Sequence, residues 1–145
     1  MHSIVDLNKY IKYVPTSKLR HIEGHSQTRV KWLVEKILAE QVWTRPICVD
    51  SKHHLVMDGQ HRMEAAKILN LPYVPCVLFN YEAVAIHSLR DNYIVNHELV
   101  LTRSLSGDIY PYKTVKHRFP VEIPELCIPL NELISLEMDV IEKVF

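Results

Sequence analysis

In "QTRVKWLVEKILAEQ", residues 27–41, the apolar positions Val30, Leu33, Val34, Ile37 and Leu38 recur every three or four residues. Lys31, Glu35 and Glu40 take the opposite side, the period of an α-helix with one buried face. Ser26 precedes this run and suits the N-cap, because its hydroxyl can accept an unpaired first-turn amide. Upstream, "SIVDLNKYIKYVP" alternates loosely and stops at Pro15, which predicts an opening strand or extended arm. Downstream, "RPICVDSKHHLVMDG" predicts two short strands around a polar turn at residues 51–54, with Ile47 and Val49 before it and Leu55–Met57 after it. A second helix is predicted over Gln60–Leu69, then a strand in "NLPYVPCVLFNY" that ends near Tyr81. A further helix is predicted over Leu89–Asn96, and "LNELISLEMDVIEKVF" predicts a terminal one. Strands alternating with helices specify an α/β (α+β) domain with a small mixed sheet, not a bundle or a sandwich.

Composition narrows the class. With 145 residues, 48% of them hydrophobic, the chain can build one core, and residues 1–145 are read as a single domain. Seventeen basic residues balance seventeen acidic ones, so no overall field attracts a nucleic acid backbone. No apolar run reaches the length of a membrane span, and no leader pattern opens the chain, which makes a cytoplasmic protein the expectation. Cys48, Cys76 and Cys127 form no close pair and sit among apolar neighbours, so all three are read as core thiols. Trp32 is expected to border the core. Residues 103–145 change character: Arg103, Lys113, Lys116 and Arg118 outweigh Asp108 up to residue 118, and an acidic closing element follows.

The chemistry concentrates at "VMDGQHRMEAA", residues 56–66, where a strand hands over to a helix. A turn and a cap would need only Asp58 and Gly59. His61 and Arg62 remain, two cationic residue types in a first turn where the helix dipole disfavours positive charge. An anion bound at the helix start reverses that preference, because backbone N–H groups already point there and cationic side chains add charge-assisted hydrogen bonds. Phosphate or carboxylate binding is the reading adopted. The segment has neither a Walker glycine-rich loop nor a dinucleotide fingerprint. His53, His54 and His61 argue poorly for zinc, since adjacent histidines on a strand diverge and no cysteine joins them.

These residues carry a resemblance. "VMDGQHRMEAAKILNLPYVPCVLF" resembles the signature of the ParB/sulfiredoxin-like superfamily, and "VPTSKLRHIEGHSQTRVKWLVEKILAEQVWTRPICVD" is similar to its opening segment. Within that superfamily the sulfiredoxin branch uses a cysteine where Gln60 stands here, which removes sulfinic acid repair. The partition-protein branch has "GERR" at the turn and a DNA-binding module afterwards. The free-serine-kinase branch, with "DGHHR", differs from Asp58-Gly59-Gln60-His61-Arg62 only at Gln60. "RHIEGHSQTRV" matches that branch's glutamate and nearby histidine with Glu23 and His25, and "GDIYPYKTVKHRF" resembles its late phosphate-side segment.

The resemblance implies a kinase that moves a phosphoryl group from ATP or ADP, with Mg²⁺, to the hydroxyl of a free amino acid, L-serine first and threonine or homoserine as alternatives. It implies Glu23 as the base, with Asp58 as a second acid that supports the hydroxyl or the metal. His25, Gly59, Gln60, His61 and Arg62 would hold the nucleotide phosphates. Lys113, Thr114, Lys116 and His117 would close over them, and Arg118 would serve the donor or the substrate carboxylate. From their positions beside Pro111 and Lys113, Tyr110 or Tyr112 could stack on a base, with packing in the core or at its rim the alternative for both. The alternative function is a nucleotide-binding, DNA-associated regulator without kinase activity.

Overall fold

A computed structural model describes residues 10–136. β1 (Ile11–Pro15) leads through a 3₁₀ turn and a loop to α1 (Gln27–Glu40), then β2 (Val42–Trp43) and β3 (Ile47–Asp50). β4 (Val56–Asp58), α2 (Gln60–Ile68) and β5 (Tyr73–Phe79) follow. The rest comprises β6 (Ala85–Ser88), α3 (His97–Ser106), β7 (Val115–Arg118), β8 (Ile128–Pro129) and α4 (Leu130–Ile134). The central sheet is mixed, in the order β1-β5-β3-β4, with β3 parallel to β5 and the other pairs antiparallel. Two-stranded pairs join β2 to β8 and β6 to β7.

Strand alternation divides the apolar side chains between the two faces of the sheet. Ile47, Val49, Val56, Val74 and Cys76 join Leu33 and Ile37 of α1 and Met63, Ala65 and Ala66 of α2 in the main core. Cys48, Met57, Val77 and Phe79 pack on the other side with Val84 and the segment carrying Phe119, Val121 and Ile123. A third cluster, Ile22, Leu55, Val100, Tyr110 and Val115, ties the loop before α1 to α3 and β7. Removing a fully buried side chain such as Ile47 or Met63 from water contributes about 1.5–3 kcal/mol each.

The periodicity and caps place α1 and α2 within a residue of prediction. Ser26 Oγ accepts the Arg29 amide at 3.3 Å, and Gln41, in the left-handed region at φ 59, ends α1. Other expectations need correcting. The helix predicted over Leu89–Asn96 instead starts where that segment ends: Asn96 accepts the Leu99 amide at 2.8 Å as N-cap, and Gly107 stops α3. Arg103 therefore belongs to this helix and not to a basic loop; its guanidinium lies 4.2 Å from the Tyr110 ring and bonds the Asp108 carbonyl at 2.7 Å. Trp32 is 57% exposed, since the buried period Val30, Leu33, Ile37 turns it outward. Cys48 and Cys76 are core thiols as expected, but Cys127 is exposed. Of the opening strand only residues 11–15, and of the terminal helix only residues 130–134, are formed among the described residues. Tyr10, Ser135 and Leu136 are described and lie outside these elements, and the remainder of both predictions lies outside the described residues.

Candidate active site

The turn from β4 into α2 depends on Gly59. Its φ of 118° suits glycine, and a Cβ there would come within 3.1 Å of Ile47 Cγ2. No side chain caps α2, so Asp58 does not spend its carboxylate on the helix. That carboxylate is 55% exposed and lies 3.7 Å from Arg45. The first-turn amides of α2 are left to water or an anion.

Three cationic side chains surround this helix start. Arg62 is half-buried and makes no hydrogen bond among the described residues. Burial, first, and then the charges of Arg45 and Arg29 depress its pKa, opposed by Asp58. A desolvated guanidinium among like charges is stabilised by a bound anion. His61 behaves differently from the cation its sequence position suggests. Its Nε2 accepts the Ser26 amide at 3.0 Å, and burial, then Arg29, lower its pKa. That leaves Nδ1–H as the donor of this ring. The Gln60 side chain is turned inward: its amide nitrogen donates to the Val56 carbonyl at 2.6 Å and its oxygen faces His21.

Glu23 approaches from the other side of the same cleft. Gly24 donates to the Tyr110 carbonyl at 2.8 Å and Tyr110 to the Ile22 carbonyl at 3.0 Å, which pairs the early loop with the segment before β7. A Cβ on Gly24 would lie 3.3 Å from the Tyr112 nitrogen, so the approach is close. This pairing lets Glu23 Oε2 accept the amides of Thr114 at 3.0 Å and Val115 at 2.9 Å. Burial raises the Glu23 pKa above its ordinary value, against those two hydrogen bonds and the nearby charge of Arg90. Oε1 accepts no hydrogen bond among the described residues, so one carboxylate oxygen is anchored and the other is available for chemistry.

The cleft between these halves has a volume of about 350 Å³. Glu23, Asp58, Gly59, Gln60, His61, Lys116 and His117 of the predicted site residues line it, brought together from three separate parts of the chain. A larger hollow of about 530 Å³ beside Lys18, Arg20, Lys52, His53 and His54 has no carboxylate in its wall. His117 is buried; Tyr81 donates its hydroxyl to Nε2 at 2.6 Å, and Nδ1 has no hydrogen-bond partner among the described residues. Its pKa falls to about 4, chiefly through burial and then through His97; the Met57 backbone opposes the shift without reaching hydrogen-bond geometry.

Other predicted residues stand aside from the wall. The Thr114 hydroxyl donates to the Pro111 carbonyl at 2.6 Å, so its contribution at the cleft is the amide on Glu23. Lys113 and Arg118 are exposed and do not line the cleft, and half-buried Arg62 lies behind its wall rather than in it. His25 stacks on His21, with ring centroids 4.9 Å apart, and meets the His61 ring edge-on at 6.2 Å. The sequence reading missed Arg45, Phe119 and Ile123 in the wall, and Arg90, whose guanidinium holds the Tyr112 carbonyl at 2.7 Å. The β3–β4 register, Cys48 opposite Asp58, gave a signal for Arg45, because continuing it brings residue 45 alongside the start of α2.

No protein-family model matches the chain. An ATP-dependent L-serine kinase from Desulfurococcus mucosus is 30% identical over 79 residues, which cover 50% of this chain and 31% of that protein. The chain thus spans about a third of the length of the curated relative it matches. SbnI with a C-terminal truncation, from Staphylococcus aureus, superposes with a TM-score of 0.83 at 13% identity over 95% of each chain. A free serine kinase in complex with AMP superposes with a TM-score of 0.76 at 12% identity, covering 85% of this chain and 93% of that one. Glutamate variants of a free serine kinase, bound to AMP or ADP, match equally well. The fold is the ParB/sulfiredoxin-like one that the sequence resemblance implies, in the form seen in these proteins.

Proposed function

We propose that the chain is a kinase that transfers the terminal phosphoryl group of ATP or ADP to the side-chain hydroxyl of a free amino acid, L-serine foremost, giving O-phospho-L-serine. The observation that carries this reading is the Glu23 carboxylate, anchored through one oxygen and sharing a cleft with the uncapped start of α2. The serine kinase named above, from Desulfurococcus mucosus, and the nucleotide-bound free serine kinases of the same fold support it.

The amides of α2, the Arg62 guanidinium and the His61 Nδ1–H would receive the phosphates, with Lys116 reaching in from β7. The acceptor hydroxyl then faces Glu23. As the hydroxyl oxygen bonds to the terminal phosphorus, the bridging P–O bond breaks and its electron pair leaves with ADP or AMP. The hydroxyl proton passes to the carboxylate. A raised pKa suits this duty, since a stronger base takes the proton more readily.

Mg²⁺ fits one donor of this cleft. The exposed Asp58 carboxylate is a hard oxygen ligand, and Mg²⁺ retains water and phosphate oxygens for its other positions. When bound, it would offset phosphate charge. Arg45 competes for the same carboxylate and would turn to the nucleotide.

The test crosses ATP and ADP with serine, threonine and homoserine and follows phosphomonoester formation by ³¹P NMR. Product with serine and either donor supports the proposal. Nucleotide binding without product in every combination would sink it.

A further inference from the structure

A second constellation sits behind the helix start. The Gln60 amide nitrogen donates to the Val56 carbonyl at 2.6 Å, so the Gln60 oxygen is the atom turned to His21 Nδ1. Nδ1 therefore carries a proton and donates it. His21 Nε2 then points at Glu64 Oε1, 2.5 Å away. With Nδ1 already donating to Gln60, a proton on Nε2 makes an imidazolium–carboxylate pair with Glu64, and a divalent cation can take that proton's place. His25 stacks on the His21 ring, and the ligand atoms of His21, His25 and Glu64 lie within 4.8 Å of one another.

Two imidazole nitrogens and one carboxylate oxygen form a donor set suited to zinc-class ions, with a further position open. The Gln60 oxygen supplies the outer hydrogen bond that fixes a ligating histidine's tautomer. We propose that His21, His25 and Glu64 bind a divalent transition cation, distinct from the Mg²⁺ that accompanies a nucleotide. Two weak competitors are already present. Lys67 Nζ lies 3.3 Å from Glu64 Oε1, and the Gln27 amide lies 3.1 Å from His25 Nε2. Both side chains are exposed and can swing away. Because Gln60 also lines the cleft, an ion at this position braces the residue that opens α2.

The test titrates the full chain, stripped with a chelator, with Co²⁺ and reads the visible d–d absorption, with Zn²⁺ as competitor. One equivalent is expected, displaced by Zn²⁺, with affinity lowered about tenfold or more by Glu64→Gln and by His25→Asn. Circular dichroism checks that each variant folds. Nitrogen-15 NMR of the wild-type histidines gives a reading free of substitutions: Zn²⁺ should move the His21 Nε2 resonance while Nδ1 stays protonated. The proposal is overturned by an absent saturable band, by unchanged affinity in the folded variants, or by an unmoved His21 signal. No turnover is scored, so this proposal and the phosphoryl-transfer reading can fail separately.

Discussion

Glu23 takes the backbone amide of Thr114 at 3.0 Å across 91 positions of sequence. One side chain thereby fixes the relation between the loop before α1 and the segment before β7. Glu23→Gln keeps an oxygen for these amides and loses the basic one. Native-like melting and nucleotide affinity are expected, with kcat lowered about 10²–10⁴-fold, as for removal of a general base. Equal losses in nucleotide Kd and in turnover would assign Glu23 to binding.

The raised pKa of Glu23 predicts the acid limb of the rate profile. Burial is the main cause, and a base must be ionised to work. The pH dependence of kcat/KM should therefore fall with acid around a pKa above the ordinary carboxylate value of 4.5. A limb at or below that value would contradict the assignment.

His117 sets a stability dependence of opposite sign to a salt-bridged histidine. Its pKa drops from 6.5 to about 4 on folding, so the unfolded chain takes up the proton first. Stability is fully present above pH 6.5 and declines as pH falls towards about 4, by about 3 kcal/mol from this group. Urea midpoints across that range should fall less steeply for His117→Leu than for the wild type.

Gly59→Ala tests the turn. The φ of 118° and the 3.1 Å approach to Ile47 Cγ2 together predict a loss of about 1–3 kcal/mol in chemical unfolding, with the first turn of α2 displaced. An unchanged midpoint would show that the helix start tolerates a side chain.

Arg62 is expected to act on nucleotide affinity. Arg62→Ala should raise KM for the nucleotide about tenfold or more, the effect of losing a charge-assisted hydrogen bond, while α2 persists by circular dichroism. Arg62→Lys should recover part of it, as it restores the charge without the planar fork.

Much of this was legible locally. The period of Val30, Leu33 and Ile37 and the cap at Ser26 specify α1, and Asp58-Gly59 specifies the turn before α2. Asn96 and Gly107 were equally readable as the ends of α3, but the mixed run from Leu89 drew the prediction eight residues too early. Pairing across long sequence distances left no such mark. Nothing near Glu23 announces that Thr114 and Val115 will hold it, and nothing near Arg45 announces Asp58 except the hairpin register. The charge of His61 was misread for the same reason: its neutrality comes from burial, from the Ser26 amide and from Arg29 on α1.

The two walls of the cleft have separate covalent origins. The proposed anion grip at residues 58–62 is built into the sheet and α2, whereas the anchor for Glu23 and the apolar rim of Phe119 and Ile123 come from later in the chain. In the proposed reaction, changes at Phe119 and Ile123 would therefore alter which acceptor is admitted while leaving the turn from β4 into α2 untouched.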